Sequence, residues 1–253
     1  INYAAGVFGG VSDGATSGNS DFDNDKDVAA RVFASPFKNN PGSIVQGLSF
    51  GVAGTLGREK TTAGRTSGYK TDGQQTFFTY TNAIADGQNW RIVPQFDYRN
   101  GSFGLIGEYA VSTVNVRPTA TGVKTELKNK AWQVSTGYVL TGEDSSFAGV
   151  VPKTNFDWAN GTWGAFEVVA RFEKLTIDDK AFPLYANPST NADEASAFGA
   201  GLNWYLSKVV RFTFDFYDTK FGFNHAAVLN PPAAPSVLHQ NEKAFVSRFQ
   251  VSF

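Results

Sequence analysis

Residues 243–253, Lys-Ala-Phe-Val-Ser-Arg-Phe-Gln-Val-Ser-Phe, alternate strictly. Phe245, Ser247, Phe249, Val251 and Phe253 fall on one side of an extended strand, and Ala244, Val246, Arg248, Gln250 and Ser252 on the other. One face is apolar and the other mostly polar. The pattern recurs. In 209–219, Val210, Phe212, Phe214 and Phe216 oppose Arg211, Thr213, Asp215 and Tyr217; in 163–175, Phe166, Val168, Ala170 and Phe172 oppose Glu167, Val169, Arg171 and Glu173. In 102–116, Phe103, Leu105, Tyr109 and Val111 oppose Gly104, Ile106, Glu108 and Ser112. A soluble sandwich would turn such faces inward onto each other. Repeated in strand after strand, with aromatics at the ends of the runs, they are covered more simply by lipid. The expected fold is all-β, a transmembrane antiparallel β-barrel.

Composition agrees. Hydrophobic residues make up 42% of the chain and aromatics 15%, with 23 Phe, 9 Tyr and 5 Trp, yet the mean hydropathy is only -0.24, which suits strands half in lipid and half in water. No apolar run reaches the roughly 18 residues that a spanning helix needs. Cysteine is absent, which is compatible with an oxidising envelope compartment but does not establish it. A net charge of -1 gives no electrostatic footprint for nucleic acid. Ile1-Asn-Tyr-Ala-Ala-Gly-Val-Phe8 already reads as strand rather than as a secretory leader.

Period-two alternation and Gly/Asn/Asp/Pro punctuation predict ten strands near 1–10, 25–36, 45–57, 88–99, 102–116, 124–141, 163–175, 196–206, 209–219 and 243–253. Outer-membrane barrels keep both termini in the periplasm, with short turns there and long loops outside. Counting back from the last strand makes 206–208 and 99–102 periplasmic turns, and 11–24, 58–87, 117–123, 176–195 and 220–242 external. The 142–162 connection then falls on the periplasmic side, where its length is anomalous. Gln74-Gln-Thr-Phe-Phe-Thr-Tyr-Thr-Asn82 has strand propensity, but counting it as a membrane strand would put the tight 99–102 turn outside and reverse every earlier assignment. The 58–87 segment is therefore expected to be one long loop, and Phe77 and Phe78 must find cover inside the barrel mouth.

By the alternation, Arg31, Arg91, Arg171, Arg211 and Arg248 face the lumen, opposed by Asp97, Glu108, Glu167, Glu173 and Asp215. The simplest reading is a mixed, hydrated wall of solvating pairs. A selective reading needs clustered arginines, whose planar fork grips two oxygens of an oxyanion. Arg58, Lys60, Arg65 and Lys70 of the long loop, set against Glu59 and Asp72, are the candidates together with Arg91. His225 and His239 lie in one Pro-rich loop without metal-ligand spacing. Asp21, Asp23, Asp25 and Asp27 alternate as calcium ligands can, but lack the loop Gly and distal Glu of a calcium-binding hand, so a solvated loop is the simpler reading. Trp90, Trp132, Trp158, Trp163 and Trp204 suit interfacial girdles better than sugar stacking. Gly51, Gly54 and Gly57 sit in a strand, not in a nucleotide loop.

Several stretches together carry a family resemblance: Lys26-Asp-Val-Ala-Ala-Arg-Val-Phe-Ala-Ser-Pro-Phe37, Leu48-Ser-Phe-Gly-Val-Ala-Gly54, Gly73-Gln-Gln-Thr-Phe-Phe78, Pro94-Gln95, Gly104-Leu-Ile-Gly-Glu-Tyr109, Ala131-Trp-Gln-Val134, Tyr138-Val-Leu-Thr-Gly-Glu143, Gly149-Val-Val-Pro152 and Gly201-Leu-Asn-Trp-Tyr-Leu206. In order and spacing they resemble the carboxy-terminal part of phosphate-selective porins of the O and P type. The aromatic end of the last strand also resembles the assembly signal of bacterial outer-membrane barrels. The resemblance implies a homotrimer of sixteen-stranded barrels, hence six further strands before Ile1, and an inward-folding loop where 58–87 stands. It implies passive conduction of small anions such as phosphate across the bacterial outer membrane, with lipid around the barrel, no cofactor and no turnover.

The expectation is thus a single barrel domain over 1–253 with 58–87 folded inward as the constriction, acting as an anion- or phosphate-preferring porin. Three alternatives remain: a general, weakly selective porin; a barrel that binds partners at the cell surface or serves as a structural subunit; and an outer-membrane barrel enzyme. The enzyme would need acidic and His groups converging at the external rim.

Overall fold

A computed structural model describes residues 1–10, 13, 24–62, 68–224 and 240–252. Twelve strands follow in chain order: β1 (Asn2–Gly9), β2 (Lys26–Ala34), β3 (Leu48–Lys60), β4 (Tyr69–Lys70), β5 (Thr76–Phe78), β6 (Ile84–Asn100), β7 (Phe103–Arg117), β8 (Thr125–Val139), β9 (Ala165–Thr176), β10 (Glu194–Tyr205), β11 (Val210–Gly222) and β12 (Glu242–Val251). Ten of them form one antiparallel sheet in the order β1-β2-β3-β6-β7-β8-β9-β10-β11-β12, so each strand pairs with its sequence neighbours. These are the ten strands that the alternation predicts. The sheet is open, with β1 and β12 at its edges, and β4 and β5 form a separate two-stranded hairpin.

Period two sorts the side chains. Phe214 lies between Leu202 of β10 and Ser247 of β12, while its neighbours Thr213 and Asp215 lie between Asn203 and Arg248 and between Gly201 and Val246. The outer face carries Phe50, Val52, Ile92, Phe172, Phe198, Phe216 and Phe249, all substantially exposed. An apolar face this continuous is an association liability in water and is what hydrocarbon covers.

At one end of the sheet the connections are tight or folded back onto the rim. Asn100 pairs with Phe103, leaving Gly101-Ser102 as a two-residue hairpin turn, and Gly101 at φ +54° supplies the left-handed step that such a turn needs. The 140–164 connection, anomalously long for this end, does not hang free. The Ser145 N–H donates to Gly101 O (2.7 Å), the Phe156 N–H to Leu206 O (2.7 Å) and Ser102 Oγ to Glu143 O (2.9 Å), so the segment laces neighbouring hairpin turns together. Val150 packs with Val139, Ala165 and Tyr205 in a small core beneath it. Burial alone would push the Glu143 carboxyl up, but hydrogen bonds from Thr141 Oγ1 and the Lys153 N–H hold it below the usual carboxylate range.

Aromatics belt the outer face at the same end. Trp204 stacks on Phe166 (5.7 Å) and lies 5.9 Å from Phe212, which is 4.8 Å from Phe249; Phe156 meets Trp204 edge-on at 5.5 Å. Trp204 Nε1–H donates to Trp163 O at 2.7 Å, so the ring is apolar on its face and satisfied at its polar edge. Trp158 extends the belt, 5.9 Å from Trp163.

Two outcomes are expected. Phe214→Arg should destabilise the folded protein in a bilayer refolding titration by about 2–4 kcal/mol if the residue sits near the midplane, whereas a neutral result would contradict the outward face. Because Glu143 is held below its unfolded pKa, its contribution to the 140–164 fold is complete above that unfolded value and is lost as pH falls through the folded one. Limited proteolysis of 140–164 should therefore rise at acidic pH, and Glu143→Gln should flatten that dependence.

Candidate pore constriction and lumen wall

The long loop is shorter than its composition suggests. β3 stays paired through Lys60, with Arg58 opposite Gln88 and Lys60 opposite Asp86, and β6 begins at Ile84. The alternation thus continues past the apolar stretch into charged residues. Arg58 and Lys60 consequently share the face of Leu56 and lie exposed, while Glu59 between them is buried on the inner side. Arg58 and Lys60, expected on the solute path from a loop beginning at 58, thus stand at the end of β3 rather than in the loop. Arg65 lies outside the described residues, as do His225, His239, Asp21 and Asp23.

Of the intervening segment, the described residues 68–83 lie across the inner face. Its β4–β5 hairpin pairs Tyr69 with Phe78 and Lys70 with Thr76, and closes through the Thr71 N–H to Gln75 O (2.9 Å). The strand propensity of 74–82 is therefore expressed as Thr76–Phe78 within the loop, not as an eleventh strand of the sheet. Phe77 and Phe78 are almost fully buried, at 2% and 0% exposure. They pack against Val116, Leu127 and Ala195 of the wall, and Phe77 lies 6.0 Å from Phe221 of β11. The loop tip reaches much farther. Asp72 Oδ1 meets Arg171 Nη2 of β9 at 2.8 Å, and a Cβ added to Gly73 would come within 1.9 Å of Glu242 Oε1 on β12.

Three cavities follow the inner face. One of about 400 Å³ lies between the loop and the wall, lined by Lys70, Asp72, Glu108, Gln133, Arg171 and Glu173. A second, about 330 Å³, sits nearer the turns and brings together Arg99, Arg171 and Arg211 with Ser135, Ser145, Tyr205 and Tyr217, alongside Glu167 and Asp215. The third, about 260 Å³, is lined by Arg91, Asp13, Tyr69 and Asn129. Among the described loop cations, Lys70 lines the first of these cavities.

Most of the wall charges have partners. Arg91 donates to Asp13 Oδ1 at 2.5 Å and lies 3.5 Å from Asp27 Oδ2. Arg171 also contacts Glu173 at 3.2 Å. Arg31 donates to Gln95 Oε1 (2.7 Å), Arg211 to Gln250 Oε1 (2.8 Å), and Gln133 to Glu108 Oε2 (2.6 Å). Glu167 accepts from Tyr205 Oη (2.8 Å) and Asn203 Nδ2 (3.0 Å). Asp97 pairs with Arg99 at 3.0 Å, and Arg248 lies exposed on β12 opposite Thr213.

Arg99 was hidden from sequence reasoning because Asn100-Gly101 marks it as a turn residue, although it shares the parity of Asp97. Asp27 was hidden too, since it reads as a solvated loop acid; Asp72 is expected among the loop charges, but its partner Arg171 is not legible from the sequence. In the loop, burial pushes the Tyr80 phenol up to about 12 and also raises that of Tyr69, so both stay protonated while Asn129 Nδ2 donates to each oxygen (3.1 and 2.8 Å).

A family model described as "Phosphate-selective porin O and P" matches residues 2–253, essentially the whole chain. No curated protein matches it.

The tip ion pair gives a direct test. Asp72→Asn leaves Arg171 with Glu173 as its remaining carboxylate partner, so the ratio of anion to cation permeability should rise. Reversal potentials in a salt gradient measure this, and an unchanged ratio would mean that Arg171 does not face the ion path.

Proposed function

We propose, for a chain that belongs to the phosphate-selective porin O and P family, that the inner face of the sheet and the 68–83 segment form the constricted aqueous path of a passive outer-membrane channel. The observation that carries this reading is the segment itself: it runs from β6 to β12 over a charged wall, with Phe77 and Phe78 buried and Asp72 on Arg171. Diffusion down a gradient needs no reacting group. It needs a water-lined wall and a bore narrow enough to discriminate.

Small anions, phosphate among them, are the preferred solutes on this reading. Arg99, Arg171 and Arg211 converge on one cavity with Ser, Thr and Tyr hydroxyl side chains, and guanidinium forks and hydroxyls can replace part of an oxyanion's water shell. A second reading, a general and weakly selective porin, is favoured by the pairing of Arg91, Arg99 and Arg171 with carboxylates. That pairing limits the preference to a modest one.

Outer-membrane lipid covers the Phe-rich outer face, part of which is available for packing between subunits of a homotrimer. In a closed barrel the open edges β1 and β12 must both be paired, because hydrocarbon does not tolerate unpaired backbone groups.

Single-channel recordings in a chloride gradient, with and without added phosphate, test the reading. The reversal potential should carry the anion sign, and phosphate should reduce the chloride current. Replacing 62–82 by a short Gly/Ser linker should raise conductance and weaken the preference. Cation selectivity would overturn the anion assignment, and unchanged conductance after loop replacement would overturn the constriction.

A further inference from the structure

Among the described residues, the 68–83 part of the loop has little to hold it in shape by itself. Its hairpin contains the pairs Tyr69↔Phe78 and Lys70↔Thr76, with an irregularity between them. Two-stranded hairpins are marginal in water even when longer. At the tip, the Asp72–Arg171 pair has both side chains about 30% exposed, at 28% and 31%, so salt screens it. Something else must fix the loop.

The 177–193 connection between β9 and β10 supplies what is missing. Along 77–81 it binds the backbone at successive odd positions. The Ala192 N–H donates to Phe77 O (3.0 Å), the Thr79 N–H to Asn191 Oδ1 (2.6 Å) and the Thr81 N–H to Tyr185 O (2.9 Å). Packing accompanies these bonds. Phe78 meets Phe182 edge-on at 5.9 Å, and Ile177, Ala181, Ala186 and Ala192 share the buried cluster with Phe77, Phe78 and Tyr80.

The connection is itself anchored. Tyr185, 1% exposed, donates its hydroxyl to Thr125 Oγ1 at 3.0 Å. Asn191 Nδ2 donates to Asn187 O at 2.9 Å, which orients the amide so that its oxygen faces Thr79. The Asp193 N–H donates to Gly222 O at 3.0 Å, tying the segment to β11.

We infer that 177–193 is a clamp that positions the constriction, with Tyr185 and Asn191 as its positioning residues, so that the bore of the channel is set by contacts between two loops rather than by the tip ion pair. The inference rests on the reading of 68–83 as the constriction. A bore held by buried backbone hydrogen bonds and aromatic packing is also insensitive to ionic strength beyond the change in ion supply.

The full-length channel is the material for the test, with conductance read in single-channel recordings. Tyr185→Ala and Asn191→Ala should raise conductance towards that of the loop-replaced channel and add open-channel noise. Tyr185→Phe keeps the ring and the backbone carbonyl and should stay near the parent value. The chain has no cysteine, so a Thr79→Cys/Asn191→Cys pair gives a clean cross-link between the two loops. Oxidised, it should leave conductance at the parent value and restore it in a Tyr185→Ala background, which a global folding defect would not allow.

If both alanine variants conduct like the parent while loop replacement raises conductance, the clamp is wrong and the constriction stands. If loop replacement also changes nothing, the constriction reading itself fails. Should the alanine variants not assemble, the cysteine pair in the otherwise intact chain decides: failure to cross-link, or a cross-link that alters conductance, overturns the clamp.

Discussion

The alternation of the pleat is the constraint from which the rest follows. A strand buried on one side in hydrocarbon can place polar groups only on the other, and it must pair its backbone on both edges. Charges within the hydrocarbon-crossing stretch of a strand are thereby driven onto the inner face, whereas beyond that stretch charges such as Arg58 and Lys60 can share the outer face. Charges on the inner face have neighbouring strands about 5 Å away across each pair. Such charges meet one another. Asp97 with Arg99 and Glu173 with Arg171 are two apart on the same strand and hence on the same face. The mixed wall is a consequence of the sheet before it is a device for selection.

Much of the sheet was legible in the sequence because period two is a local signal. The ten strands, their faces and the tight turn at Gly101-Ser102 can all be read within windows of about a dozen residues. What was misjudged lies at the loop end. Arg58, Glu59 and Lys60 look like loop because they are charged, yet β3 carries them beyond the apolar stretch still paired with β6. Polar composition there reports the exit from hydrocarbon, not the end of hydrogen bonding. Glu59, between Arg58 and Lys60, is accordingly the one of the three that the pleat turns inward.

The site itself was only half legible. Buried Phe77 and Phe78 could be anticipated, since exposed paired aromatics need cover, but not what covers them. Their partners lie more than a hundred residues away along the chain: Phe77 meets Phe221 and accepts from the Ala192 N–H, and neighbouring Thr79 binds Asn191, 112 positions on. The 177–193 segment carries small and turn-forming residues, Ala181, Ala186, Asn187 and Ala192, whose value is that they let two loop backbones approach closely. No periodicity announces that. Asp13 is similar: it reads as a solvated loop acid, yet it binds Arg91 and accepts from Tyr69.

The arginines bring these two scales together. Arg171 faces inward because of its strand position, which is a property of the sheet, but its charge is shared with Asp72, which is there only because the loop is folded across. The wall's capacity to attract an anion therefore depends on where the loop lies, and the loop lies where 77–81 is hydrogen-bonded to 177–193. Bore and charge are not independent. On the proposed reading, a change that lifts the loop widens the path and at the same time takes both Asp72 and Lys70 away from the wall. Selection by size and selection by charge are then coupled, and neither can be read from the barrel strands taken alone.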